Sequence, residues 1–396
     1  MPRPRSTPMS ATTAATRRPP PWRDVRVLRI GFQALFLVGV VALVLFLLDN
    51  LVFNLRRLGI ETGFDFLDQP AGFAIPDSDF RSSQSVQDAI LQGARTTLVV
   101  ALVGIALATV LGIVVGVARL SPNWLVRRAA ALYVESFRNV PVLLIIVFLY
   151  LAVFLRLPPI GRAIEWVDVF VLSNRGLVVP SLRATGSTAP FLAVVALGFA
   201  AAVVVWIWRT RRFDATGEPH RRVLWALGAL AALVAVGFLA TGRPYGLSLP
   251  ERGDLGVANG FRMAPEYAAL LFGLVLYTAS HIAEIVRGSI LAVPRGQAEA
   301  ADALGLSGFQ RLRLVVLPQA FRIMIPPLAN QYLNLTKNSS LGIAISVYEV
   351  TKVTRVSIAQ GSPAPQAIGI LMLVYLVFSL AIALVTNLVN RRLALP

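Results

Sequence analysis

Apolar residues gather in eight long runs separated by polar segments. The first is Leu28–Leu48, and seven more follow at about Ala89–Ala118, Ala131–Leu155, Ala189–Trp208, Val223–Ala240, Pro265–Arg287, Pro326–Val350 and Gln366–Asn390. Runs of this length cross a bilayer as helices, because hydrocarbon offers backbone polar groups no partner outside their own segment. The pattern therefore predicts an all-α integral membrane protein with about eight transmembrane helices. Residues 1–27 are rich in Pro, Arg, Ser and Thr and read as a disordered basic tail. Asp49-Asn50, and no small-residue cleavage site, follows the first run, so 28–48 reads as an uncleaved additional N-terminal helix. Residues 49–88 form an acidic outer loop. The segments Arg156–Thr188 and Thr241–Ala264 contain Pro, Gly and small polar residues, and Arg209–Arg222 is a short charged turn.

Composition supports this reading. The hydrophobic class is 56% of 396 residues, and charged residues are 14%, against about 25% in soluble proteins. That leaves too little polar surface to coat a globule, which disfavours a cytosolic enzyme, a secreted domain and a disordered chain. The excess of Lys+Arg (37) over Asp+Glu (20) points to loops facing the cytoplasm and anionic lipid rather than nucleic acid. With the amino terminus inside, the larger share of arginines falls on inner segments, so both termini, including the tail 391–396, are expected in the cytoplasm. Cys is absent and His220 and His281 stand alone, so metal, disulfide and nucleophilic chemistry are not expected. No Gly-rich phosphate loop is present and no cofactor is expected; the chain does not bind ATP itself.

The most informative stretch is Gly288–Pro327, about 40 residues between two spans and too polar to be one. Gln297–Leu304 has high helix propensity, and Gly305 is suited to end that helix in the left-handed conformation. Ser307 and Gln310 have capping-box spacing and start a second short helix, with Pro318 at a bend near its end. An alanine-rich helix lets another protein approach its backbone closely. An amphipathic helix lying on the inner leaflet is the other reading, but Glu299 and Asp302 fit it poorly.

Glu299-Ala300-Ala301, Gly305, Val315 and Leu317-Pro318 resemble the "EAA…G…I.LP" loop of permease subunits in binding-protein-dependent ABC importers. Glu284–Gly288, Pro294–Gln297 and Lys337–Leu341 look like its polar amino-acid branch, as do Gly93–Leu98 and Glu135–Pro141. The resemblance covers roughly Ala89–Leu155 and Pro265–Asn390. It implies a type I importer permease (MetI-like) core over 89–390, with an inserted helix pair at about 189–240 and a coupling loop at 288–325. The first span and the Gly63–Leu67 segment resemble the general or glutamate-type L-amino acid permeases. The resemblance further implies a bacterial inner membrane location. Its implied partners are a second permease subunit, cytoplasmic ATP-binding subunits that carry out hydrolysis, and a periplasmic amino-acid-binding protein. Glu299, Ala300, Ala301 and Gly305 would then form the ATPase-coupling element, with Leu317 and Pro318 shaping the return.

Within the seventh run, opened by Pro326-Pro327, Asn330, Asn334 and Lys337 recur at i, i+4, i+7 on one helical face, and Gln331 and Asn338 lie beside them. Lys337 would sit roughly 16 Å deep at 1.5 Å per residue, where a lipid-facing cation costs on the order of 3 kcal/mol. Three environments would suit it: a translocation path where it meets a substrate carboxylate, a structural ion pair, or a snorkelled position. Asn330, Asn334, Lys337 and Asn338 are the candidate path residues. In the sixth run, Glu284 and Arg287 read as a local ion pair at the entry to the coupling loop; Glu135 and Arg138, with Pro141 one turn on, also read as structural. Arg95 is expected to reach the headgroups. A secondary transporter driven by an ion gradient is the alternative, but the spans hold few carboxylates and no inverted repeat is evident.

Overall fold

The computed structural model describes residues 22, 25–57, 59, 63–167, 169–185, 188–216, 222–253 and 256–393. Most of the expected basic tail, His220 and residues 394–396 lie outside the described residues. The chain divides into two units, Met1–Phe66 and Leu67–Pro396.

The first unit is built on one helix, α1 (Val25–Arg57), which runs past the apolar stretch that ends at Leu48. The first part of the expected outer loop is thus helical. Asn50 and Asn54 each donate a side-chain amide to the carbonyl four residues back, at 2.8 Å. Those bonds follow the helical register through the polar end.

The second unit opens with a short loop tied at its ends by a bridge between Pro70 and Ser85. Ser85 caps α2 (Val86–Ala118) in a reciprocal box with Asp88. α3 (Trp124–Arg138) and α4 (Val142–Phe148) replace the single span expected at Ala131–Leu155; with its continuation to Arg156, α4 lies at 100° to α3. Pro141 causes the break. It has no N–H to continue α3, and it disfavours helical geometry in the residue before it. Glu135 and Arg138 do not pair with each other within 4 Å, contrary to the structural pairing their spacing suggested.

The segments flanking the inserted helix pair are not plain loops. The first holds β1 (Ile164–Trp166), β2 (Phe170–Ser173), β3 (Gly176–Val179) and β4 (Ser181–Ala184). α5 (Thr188–Thr216) and α6 (Arg222–Ala240) follow as an antiparallel pair. The return carries β5 (Tyr245–Ser248), β6 (Glu251–Arg252), β7 (Val257–Ala258) and β8 (Phe261–Met263). Strand order β1-β2-β3-β8 makes one antiparallel sheet, and β4 pairs with β5. The fold is therefore mostly helical, as expected, with small sheets in the segments flanking the insertion. Because β3–β8 and β4–β5 join the chain before α5 to the chain after α6, the insertion leaves and returns at one place.

α7 (Pro265–Leu291), α8 (Arg295–Ala303) and α9 (Gly308–Arg311) come next. A π-helical turn (Leu312–Val316) then leads into α10 (Leu317–Asn338). A 3-10 turn, α11 (Val350–Ala359) and α12 (Ala364–Leu393) complete the chain. Among the described residues, seven helices are long and apolar enough to cross a membrane, or eight if the bent pair is one span.

The core lies between α2 and α7. Ala89, Gly93, Thr97, Ala101, Gly104, Ala108, Gly112 and Gly116 recur at three- and four-residue spacing on α2, and all are buried. This is the small-residue stripe that lets helix backbones approach in a bilayer. A Cβ on Gly112 would lie 2.5 Å from Ile282 Cγ2, and one on Gly116 would lie 2.7 Å from the Ala283 carbonyl oxygen. Ala320, Met324 and Leu335 of α10 close the cluster. Thr97, fully buried, donates its hydroxyl to the Gly93 carbonyl and accepts the Val350 N–H, which anchors α11 to α2.

Overpacking a tight interior costs about 1–3 kcal/mol. Gly112→Leu is therefore expected to lower the melting temperature of the detergent-purified protein by several degrees, read by fluorescence-detected size exclusion after heating. Gly288→Ala, where an added Cβ meets nothing within 4 Å, is expected to hold or slightly raise it, since alanine suits a helix interior better than glycine.

Candidate functional site

The segment between α7 and α10 forms a tight helical hairpin. α8 ends at Gly305, whose φ of +72° lies in the region that L-residues avoid. The N–H of Leu306 bonds the Ala301 carbonyl at 3.2 Å and the N–H of Gly305 bonds the Asp302 carbonyl at 3.0 Å. This is a Schellman stop, and it satisfies two carbonyls the helix would leave orphaned. Ser307 caps α9, its hydroxyl accepting the Gln310 N–H while Gln310 Oε1 accepts the Ser307 N–H at 2.9 Å. Across the turn, Arg311 donates to both oxygens of Asp302 at 2.6 and 2.8 Å, and Gln319 donates to Gln297 Oε1 at 3.2 Å. The turn is thus fixed by backbone, cap and side chain together.

The expected coupling residues divide between two faces. Glu299, Ala300 and Gly305 are exposed, whereas Ala301 is buried, with α8 packed on the returning π-helical turn. At Ala301 the missing bulk serves the chain's own closure. Leu304 and Phe309 are 80% and 69% exposed at the hairpin tip, a pair of large apolar side chains that sequence reasoning passed over. Their signal was their position in an otherwise polar loop. Leu317 is half-buried and Pro318 exposed. The second helix does not end near Pro318 as expected; it continues through the π-helical turn into α10, with Pro318 in the first turn. There the Leu317 N–H bonds the Leu312 carbonyl, five residues back. That wider turn accommodates a proline, which cannot donate the next bond of an α register.

Just before the hairpin, Glu284 accepts from Arg287 at 2.5 Å, as expected, and also from Arg119, the residue that caps α2. Arg119 is far away in sequence, so spacing alone did not reveal it. The trio ties the end of α2 to α7 where α7 meets the loop. His281 stacks edge-on against Tyr277, with ring centroids 4.6 Å apart. No group of three metal-ligating side chains occurs among the described residues.

The polar face of α10 has the expected geometry. Asn330, Asn334 and Lys337 are exposed and Asn338 is half-buried, while Leu335, Thr336 and Ser339 bury the opposite side. Pro326 and Pro327 lie within α10 instead of opening it. Lys337 has no carboxylate within 4 Å among the described residues, so none of these supplies the ion pair considered above. Near the other end of α7, Arg95 lines a cavity of 650 Å³.

Residues 264–394 match the family described as "Binding-protein-dependent transport system inner membrane component". The chain is 40% identical over 375 residues to the general L-amino acid transport system permease protein AapQ of Rhizobium johnstonii, covering 94% of each chain. It is 39% identical over 370 residues to the putative amino-acid ABC transporter permease protein YhdX of Escherichia coli, covering 92% of this chain and 93% of that one. Identity is 35% over 407 residues to the glutamate/glutamine/aspartate/asparagine transport system permease protein BztB of Rhodobacter capsulatus, covering 94% and 95%.

Holding an L side chain in the left-handed region costs roughly 1–2 kcal/mol. Gly305→Val is accordingly expected to raise the amide exchange rate of the Ala301–Leu306 turn by about tenfold or more. Hydrogen–deuterium exchange read by mass spectrometry checks this, with α2 exchanging as before.

Proposed function

The chain belongs to the family of amino-acid ABC transporter permeases, inner membrane components of binding-protein-dependent transport systems, and on that premise we propose that it is the translocating subunit of an ATP-driven amino-acid importer. The α8–α9 hairpin is the socket for a cytoplasmic ATPase, presenting Glu299, Ala300, Gly305 and the exposed Leu304 and Phe309. Ala301, Leu317 and Pro318 hold the hairpin on its return. A second permease subunit completes the path, and a periplasmic binding protein delivers amino acids to the opposite end. Both termini face the cytoplasm. The chain makes and breaks no bonds; hydrolysis takes place on the ATPase.

The observation that carries this reading is a rigid hairpin, fixed by a Schellman stop, a capping box and an ion pair, with apolar side chains exposed at its tip. A force applied there passes into α7, which is bound to α2 by the small-residue stripe and by the Arg119–Glu284–Arg287 trio. The spans then rock between inward and outward openings. Lys337, with Asn330, Asn334 and Asn338, lines the path and meets the amino acid's carboxylate.

Uptake into cells is expected to stop when ATP is depleted with ion gradients held constant; persistent uptake would identify a gradient-driven carrier instead. The chain contains no cysteine, so Ala300→Cys carries a unique label. Cross-linking from it in native membranes is expected to capture an ATP-binding subunit, and capture of phospholipid alone would sink the socket. Lys337→Ala is expected to cut uptake about tenfold or more, the loss of one charge-assisted contact, with assembly unchanged. Full uptake by this variant would remove Lys337 from the path.

A further inference from the structure

The cavity lined by Arg95 lies wholly in the second unit, at the opposite end of α7 from the hairpin. Its walls are the loop around Ile75–Phe80, one face of α2, the start of α7 and the Ser346–Tyr348 turn. On α2, Asp88, Gln92, Arg95, Thr96 and Val99 share the lining face. Six acidic or basic side chains line this one cavity: Asp77, Asp79, Asp88, Arg95, Arg262 and Glu266. Arg95, expected to reach the headgroups, is one of the lining residues.

Three of the six charges are already engaged. Asp88 closes the capping box with Ser85, and Asp77 faces Arg262 at 3.9 Å. Arg262 also donates to the Arg175 carbonyl at 3.3 Å. Arg95, Glu266 and Asp79 have no ion-pair or hydrogen-bond partner for their side chains among the described residues. Among the described residues, one unpaired cation and two unpaired carboxylates thus line the same cavity, the cation more than 4 Å from either carboxylate, with Phe80, Val99 and Met263 as apolar wall. Glu266 in the first turn of α7 also suits the helix dipole, but that role would not place an unpaired arginine in the same cavity.

We infer that this cavity is a binding site for a zwitterionic α-amino acid, with Arg95 holding the carboxylate and Glu266 the ammonium group. Guanidinium pairs with carboxylate through two parallel hydrogen bonds, and a carboxylate accepts from ammonium. A volume of 650 Å³ is well within the range of small-molecule sites, about 300–1,000 Å³, and leaves room for side chains of different sizes. The site is separate from the Asn330–Asn338 face of α10, no residue of which lines it. This inference rests on the amino-acid importer reading.

The test uses the complete transporter in lipid nanodiscs, without ATP or binding protein. The probe is a mixture of ¹⁴C-labelled L-amino acids, measured by scintillation proximity. Saturable binding is expected, weakened at least tenfold by R95Q and by E266Q, as loss of a charge-assisted contact predicts, and partly restored in R95K. If L-glutamine displaces the label, glutaramic acid, which lacks the ammonium, and 4-aminobutanamide, which lacks the carboxylate, are expected to displace it at least tenfold less well. No saturable binding up to about 10 mM, a range in which even millimolar sites would register, would overturn the site. So would unchanged binding in both glutamine variants when each is monodisperse and assembled. ATP-driven uptake by the wild type with its binding protein separates the two levels. Its absence defeats the importer reading itself, whereas its presence beside absent or unaltered binding defeats only this cavity.

Discussion

The close approach of α2 to α7 is the constraint from which the rest of the structure follows. Lipid is as apolar as leucine, so no hydrophobic force drives two helices together in a bilayer, and dispersion contacts between small residues must do so. Gly112 and Gly116 leave no room for even a methyl group against Ile282 and Ala283. That contact sets the register of the pair. It brings Arg119, three residues beyond Gly116, to Glu284, and at the other end it sets the spacing between the lining face of α2 and the start of α7. Both candidate sites are therefore held by one seam.

The α5–α6 pair follows a different logic. Its helices pack chiefly on each other, through Gly198 against Leu230 and Gly237 against Val194. At one end Arg209 lies over the rings of Trp208 and Trp225, at 5.9 and 5.3 Å, an arrangement suited to a membrane–water boundary. Since β3–β8 and β4–β5 staple its entry to its exit, the pair is added to the core without altering the path of the chain on either side.

Much of the hairpin was legible because its determinants are local. A glycine after an alanine-rich helix and a serine three residues before a glutamine each act within one turn, and both appear where the sequence puts them. The i, i+4, i+7 face of Asn330, Asn334 and Lys337 survives for the same reason. What the sequence hid was tertiary. Which side of α8 faces the return decided the burial of Ala301, and no local rule encodes it. Arg119 meets Glu284 only because two distant helices share a register. The break at Pro141 and the strands from Phe170 to Val179 had local signals, a proline inside an apolar run and two apolar stretches around Asn174-Arg175. Both were masked by the mean hydropathy of their surroundings. The small-residue stripe on α2 was also visible, as a spacing of glycine and alanine that apolar-run counting ignores.

α7 joins the hairpin end to the cavity end as one uninterrupted helix of 27 residues. At 1.5 Å per residue it measures about 40 Å. Its tight contact with Gly112 and Gly116, at Ile282 and Ala283, lies about 13 Å from the hairpin end and about 26 Å from Pro265. A rigid rod rocking on that contact moves its Glu266 end roughly twice as far as its hairpin end, a ratio set by where the glycines of α2 fall.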